Sequence, residues 1–256
     1  MLMRHRIQLP MEEYKSLSQN EAFFYLTHDN GEKEKILFHD YARIYQTPKL
    51  YEQIFYDRLR CKSPQVVTDI LYKALKTENK NFTELRVLDF GAGNGLMGEA
   101  LDTYGVARLV GADIEAMARE AAHRDRAGVY DEYYVRDFTQ LSENQISEIQ
   151  DWGFDCLTTV AALGFGDIPV KAFHQAMNLI NENGWVAFNI KESFITPNDQ
   201  SGFSKYIRQL ILSEHWEVHF IERYKHRLSL EGVPLYYYAI VARKRSHIPE
   251  SLLPQS

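Results

Sequence analysis

The sequence predicts an α/β protein built on an open, mostly parallel sheet. Three observations carry this. From about residue 60 onward, apolar runs of strand length alternate with helical patterns. A glycine-rich turn follows the first of those runs, and the last two runs are joined as a hairpin would be.

The first 60 residues read as an elaboration in front of that sheet. Ala22–Thr27 and Lys33–His39 alternate in polarity around Asp29-Asn30-Gly31, a strong hairpin turn signal. Asp40–Gln46 is a short stretch stopped by Pro48. Lys49–Arg58 places Leu50, Ile54 and Phe55 at helical spacing, with Tyr51 and Phe55 four apart. A helix is predicted from Ser63-Pro64, with Ser63 as N-cap and Pro64 as first helical residue, to about Lys76. The main domain is read as residues 61–245 and the C-terminal tail as 246–256.

The next segment is the most informative. In Val87-Leu88-Asp89-Phe90-Gly91-Ala92-Gly93-Asn94-Gly95, an apolar run ends in an acid and three glycines at alternate positions precede a helical stretch, Leu96–Tyr104. A buried parallel strand reads as a continuous apolar run. Glycines after it let the backbone turn tightly and approach a ligand. The helix opening there offers free N–H groups and a positive dipole end. Two familiar loops nearly fit and fail. Leu96 stands where the dinucleotide fingerprint needs its third glycine. Glu99 and Ala100 replace the lysine and hydroxyl of a triphosphate loop, and a glutamate there would repel the phosphates.

Later strands repeat the acid-tipped pattern. Leu109–Asp113 is a second apolar run, ending in an acid 24 positions after Asp89. An acid about 20 residues beyond such a loop sits at the tip of the neighbouring strand, where it can accept both ribose hydroxyls. Gly128–Phe138 gives a third strand carrying Asp137. Phe154–Val160 and Trp185–Ile190 read as the fourth and fifth strands. Between them Phe173, Ala176, Met177 and Ile180 share a helical face, and Asn183-Gly184 is a helix stop. Ser201–Trp216 is amphipathic through Phe203, Tyr206, Ile207, Leu210 and Ile211. Glu217–Tyr224 and Leu235–Arg243, joined through Gly232 and Pro234, complete a seven-stranded sheet with one antiparallel strand.

The acid-x-Gly-x-Gly-x-Gly pattern resembles the first motif of class I S-adenosylmethionine (SAM)-dependent methyltransferases. Gly128-Val129-Tyr130-Asp131 resembles the corresponding stretch of bacterial and Williams–Beuren-region methyltransferase-like proteins. The resemblance covers roughly residues 60–245. It implies a Rossmann-like sheet of order 3-2-1-4-5-7-6 with the last strand antiparallel, and SAM as cofactor. In the loop Gly91-Ala92-Gly93-Asn94-Gly95, it implies that the glycines bring the backbone close to the methionine moiety. Asp89 would help hold the ammonium group, Asp113 the ribose hydroxyls, and Ile114 would flank the adenine. Asp137 and Phe138 would meet the adenine edge and face, and Ala161 would line the pocket near the sulfonium. N-terminal segments of this fold commonly close over the cofactor as a lid. Residues 1–60 could equally extend or protect a sheet edge, or pair two subunits.

Methyl transfer asks little of side chains, because the sulfonium already activates the methyl group. Positioning and desolvation carry much of the rate, and a base is needed only where the nucleophile must lose a proton. Candidate bases are His39, Tyr56 and Asp57 from the N-terminal segment, His174, and Lys191 with Glu192 after the fifth strand. His174, on a predicted helix, also reads as a partly exposed helical histidine. Lys191-Glu192 also reads as a solvated turn, and Tyr236–Tyr238 as strand packing. At the fourth-strand tip, Val160–Asp167 is small and apolar, unlike the [DN]-P-P-[YF] motif of amino-methylating enzymes acting on bases or glutamine amides. This favours a small-molecule acceptor.

Composition narrows the classes further. Of 256 residues 45% are apolar, enough for a sizeable core. Thirty-five acids against 29 basic residues give a net charge of −6, which argues against broad nucleic-acid binding. There is no apolar run of about 18 residues, and Met1–Pro10 is broken by Arg4, His5 and Arg6, so neither a membrane span nor a signal peptide is expected. Cys61 and Cys156 are expected as reduced thiols of a cytoplasmic protein, and no His/Cys spacing suggests a metal. Two rivals remain at this point: an NAD-dependent oxidoreductase, and a non-catalytic partner protein of the same fold.

Overall fold

A computed structural model describes residues 4–10, 21–164 and 167–254. Parts of four readings lie outside the described residues: Met1–Met3 at the amino terminus, 11–20 of the N-terminal elaboration, Phe165-Gly166 of the fourth-strand tip, and 255–256 of the tail.

The N-terminal segment forms β1 (Arg6–Gln8), β2 (Phe23–Thr27), β3 (Lys33–Leu37) and α1 (Tyr41–Gln46), then a π-helical stretch, Glu52–Arg58. The predicted hairpin is present as β2–β3, paired Phe23↔Leu37 to Thr27↔Lys33. β1 adds a third antiparallel strand that the sequence reading did not contain. The helix expected over Lys49–Arg58 is wound wider: Leu59 N–H donates to the Ile54 carbonyl five residues back, at 3.0 Å. In an α-helix, residues five apart diverge by about 140°. The wider winding lets Tyr51 and Tyr56 line the same cavity.

The main sheet is built from β4 (Arg86–Phe90), β5 (Arg108–Asp113), β6 (Glu132–Val135), β7 (Cys156–Thr159), β8 (Gly184–Lys191), β9 (Trp216–Leu228) and β10 (Pro234–Lys244). Its order is β6-β5-β4-β7-β8-β10-β9, the expected 3-2-1-4-5-7-6. β4 to β8 pair in parallel, and β10 runs antiparallel to both β8 and β9. The β9–β10 register shifts twice, at Leu235/Tyr236 and Val241/Ala242, bending a ribbon longer than predicted. The third strand is shorter than predicted, because Tyr130 turns in toward β4 before pairing starts at Glu132.

Helices cover both faces, as strand alternation demands. Val87 packs with α2 (Ser63–Thr77) and α3 (Leu96–Asp102), through Val67, Leu71 and Leu101. Leu88 and Phe90 face the other core, where α6 (Val170–Asn178) and α7 (Phe203–Ile211) bury Phe173, Tyr206 and Leu210. The tail joins that core through fully buried Ile248, whose backbone is held by Asn178. α2 starts as expected, but Ser63 is not its cap. Its hydroxyl instead bonds the Tyr224 hydroxyl at 2.7 Å and His226 Nδ1.

Two helices escaped the apolar pattern. α4 (Ala116–Asp125) buries only the alanines 118, 121 and 122, whose small side chains leave little periodic signal. α5 (Glu143–Gln150) buries Ile149 alone but starts with a capping box between Ser142 and Gln145. Replacing Ser142 by alanine should cost about 1 kcal/mol of stability. A urea unfolding midpoint unchanged from wild type would show that the box does not hold the helix start.

Candidate functional site

A cavity of about 480 Å³ lies where the strands β4, β5 and β7 end, roofed by the N-terminal segment. Carboxyl-end crevices of α/β sheets are where such folds bind ligands.

The glycine loop forms one wall, and its glycines are needed for stated reasons. Gly93 has φ +53°, and a Cβ there would meet the Tyr45 hydroxyl at 2.6 Å. Gly91 has φ +73°, and its Cβ would sit 2.8 Å from both Ala162 and Ile168. Gly91, Ala92, Gly93 and Asn94 line the cavity. Gly95 lies behind the lining, against Tyr130 and Arg126. Buried Arg126 ties the layers together: it donates to the Asn94 carbonyl at 2.9 Å and pairs with Glu52 at 2.8 Å and Glu99 at 3.2 Å.

Asp113, at the tip of β5, lines the cavity. Its carboxylate accepts from the Gly93 amide at 2.9 Å and the Glu115 amide at 3.0 Å. Burial raises its pKa, and those backbone hydrogen bonds work against the rise. Ile114 projects beside it, 60% exposed. Asp137 and Phe138 also line the cavity. One oxygen of the Asp137 carboxylate accepts from both the hydroxyl and the amide of Thr139, which lowers its pKa. Phe138 is buried on Phe90, with ring centroids 4.6 Å apart.

Asp89 does not reach the cavity wall, contrary to a direct contact with an ammonium group. It is buried beneath the loop, accepting from the Tyr130 hydroxyl at 2.7 Å and the Thr158 hydroxyl at 2.8 Å. Burial pushes its pKa up to about 6 against the pull of those hydrogen bonds. Ala161 does line the cavity, in a left-handed conformation with φ +59°. Its amide donates to Asn189 Oδ1 at 2.6 Å, and Asn189 donates in turn to the Tyr224 hydroxyl at 2.6 Å.

The candidate bases separate cleanly. His39 and Tyr56 line the cavity, and His39 Nδ1 lies 3.8 Å from the Asp167 carboxylate. The other four lie outside the lining. His174 is buried in the α6–α7 core, hydrogen-bonded to the Tyr206 hydroxyl at 2.8 Å, rather than partly exposed. Glu192 pairs with Arg223 at 2.8 Å, and Asp57 is exposed. Lys191 ends β8 outside the lining, its pKa lowered by burial and by Arg227. Tyr237 packs on His226, and Tyr236 stacks under Arg223.

The sequence reading missed several lining residues: Asp167 and the tyrosines 41, 45 and 51. Tyr41 and Tyr45 are four apart on α1, a spacing that puts them on one face, and their rings stack at 6.1 Å. Burial raises the pKa of all four lining tyrosines, 41, 45, 51 and 56, so they stay neutral phenols.

Comparison with known proteins gives the fold and the family. None of the curated proteins matches the chain in sequence. Three solved structures share the fold at low identity. The N-methyltransferase NodS of Bradyrhizobium japonicum WM9, in complex with S-adenosyl-L-homocysteine, is 14% identical over 82% of this chain and 98% of its own, with a TM-score of 0.52. The 1320 protein of Thermoplasma acidophilum is 15% identical over 78% and 99%, with a TM-score of 0.51. A SAM-dependent methyltransferase of Anabaena variabilis ATCC 29413 is 15% identical over 80% and 95%, with a TM-score of 0.50. The family profile described as a methyltransferase domain matches residues 59–229. The chain belongs to that methyltransferase-domain family and carries the class I fold, whose cofactor is S-adenosylmethionine.

Proposed function

We propose that the protein transfers the methyl group of SAM to a small-molecule acceptor in the cytoplasm. The observation that carries this is the convergence in one roofed cavity of the glycine loop, the strand-end acid Asp113 and the Asp137-Phe138 pair. Gly91 and Gly93 bring the loop backbone close to the methionine moiety, Asp113 takes the ribose hydroxyls, and Ile114 with Phe138 sandwiches the adenine near Asp137. Asp89 acts from beneath, holding Tyr130 and Thr158 and lending negative charge to the loop. Bound SAM supplies an electrophilic methyl on a sulfonium. The N-terminal segment acts as the lid, setting Tyr45 over Gly93 and excluding water, which strengthens electrostatics inside. The roof and the modest cavity volume favour a small acceptor, and the net charge of −6 disfavours a nucleic acid. Free Cys61 and Cys156 suit a reducing compartment.

Calorimetric titration with SAM, S-adenosylhomocysteine and NAD(H) tests the cofactor. The first two should bind and NAD(H) should not. Binding of NAD(H) without SAM would overturn the reading, and binding of neither would make this a non-catalytic partner protein. Incubation of cell extract with methyl-labelled SAM then tests the acceptor: label should enter the low-mass fraction and not RNA or protein.

A further inference from the structure

Part of the cavity lining comes from side chains other than the glycine loop and the strand-end acids. It is made by His39 and Tyr41 from the N-terminal segment, by Tyr51 and Tyr56 around the π-helical stretch, and by Asp167 ahead of α6. We infer that this part is the methyl-acceptor subsite and that it recognises a protonated amine, held by the Asp167 carboxylate and the faces of the tyrosines. The inference rests on the proposed methyl-transfer function.

The first argument is the charge of the lining. Among the described lining residues the one permanent cation is Arg136, next to Asp137 and bonded to Glu148. Asp167 is set apart from it. The Asp167 side chain is 31% exposed, and partial desolvation, with a contribution from Asp113, raises its pKa to about 6, so at neutral pH it is mostly a carboxylate facing the cavity. A carboxylate drawn partly out of water attracts a cation more strongly than one in bulk solvent does. His39 is 3.8 Å away but is held toward its neutral form by burial and by Arg227. A cationic ligand would complete the charge balance.

The second argument is the chemistry of the walls. The ring of Tyr41 packs edge-on to His39 at 5.8 Å, and Tyr51 lies 5.4 Å from Tyr45 and 6.3 Å from Tyr56. Neutral aromatic faces attract ammonium groups, more so when desolvated. Two further cations stand outside the lining: Arg227, which influences His39 and donates to the Leu228 carbonyl, and Lys191, which influences His226. They back the wall and do not form it. With an amine bound, Asp167 Oδ2 can take one proton from the ammonium, leaving the nitrogen lone pair free to act as nucleophile.

Protein saturated with S-adenosylhomocysteine tests this by calorimetry or ligand-observed NMR, with three probes of one shape: phenethylamine, 2-phenylethanol and 3-phenylpropionate. The amine should bind at least 10-fold more tightly than either of the others. Asp167→Asn should abolish that preference, and Tyr41→Leu should weaken amine binding several-fold, each in protein whose thermal melt shows it folded. Tighter binding of the carboxylate or alcohol, binding of none of the three, or an amine preference that survives Asp167→Asn would overturn the inference. Failure to bind S-adenosylhomocysteine at all would instead count against the cofactor reading, so the two failures are distinguishable.

Discussion

Replacing Asp113 by alanine should weaken SAM binding by about 1–3 kcal/mol, the cost of losing hydrogen bonds to a charged acceptor, or roughly 5- to 150-fold in Kd. The carboxylate has two jobs that the substitution removes together. It accepts the amides of Gly93 and Glu115, so it fixes the glycine loop against the start of α4. It also faces the cavity at the β5 tip, where two ribose hydroxyls would find an ionised acceptor. Asp113→Asn keeps one acceptor oxygen for the loop but loses the charge, so it should fall between alanine and wild type. Calorimetric titration of both variants, with thermal melts to establish folding, separates the roles. An unchanged SAM affinity in folded Asp113→Ala protein would take the ribose away from this residue.

The second large effect is on stability, and its sign is unusual for an aspartate. Asp89 is 1% exposed, with a folded-state pKa of about 6, against about 3.9 in an unfolded chain. Between those values the folded protein binds more protons than the unfolded one, so stability falls as pH rises from about 4 to 6. Above that window the buried carboxylate costs on the order of 3 kcal/mol. Asp89→Asn keeps the shape without the charge: one hydroxyl still donates to the amide oxygen, and the other turns to accept from the amide nitrogen, as it would with the protonated acid. It should therefore stabilise the ligand-free protein by up to about that amount at pH 7.5 and leave it unchanged near pH 4. Asp167, also raised to about 6, acts in the same direction and stays in the variant, so some pH dependence persists. Urea unfolding at the two pH values reads this directly. Equal destabilisation at both would mean that Asp89 serves only as a hydrogen-bond acceptor. A variant that gains stability at pH 7.5 but binds SAM less well would show that the charge is kept for the ligand.

The parallel strands were legible because each is an apolar run ending in a polar tip, and burial on both sheet faces imposes that pattern regardless of function. The glycines were legible for a backbone reason: at Gly91 and Gly93 the left-handed conformation and the approach of Ile168 and Tyr45 leave no room for a Cβ. α4 and α5 were not, because a helix that buries alanines or a single isoleucine has little apolar periodicity. Spacing also placed Asp89 and His174 at a site, whereas the fold put the first under the loop and the second in the core.

The sequence alone therefore determined the sheet, its glycine loop and the family, since these depend on local backbone demands and on burial period. It could not determine which side chains face the cavity away from the strand tips. That depended on the π-helical winding that brings Tyr51 and Tyr56 round, on α1 setting Tyr45 over Gly93, and on the loop before α6 that carries Asp167 to His39. The last two are contacts between segments far apart in the chain, fixed by packing, and no local apolar pattern distinguishes the wider winding from an α-helix.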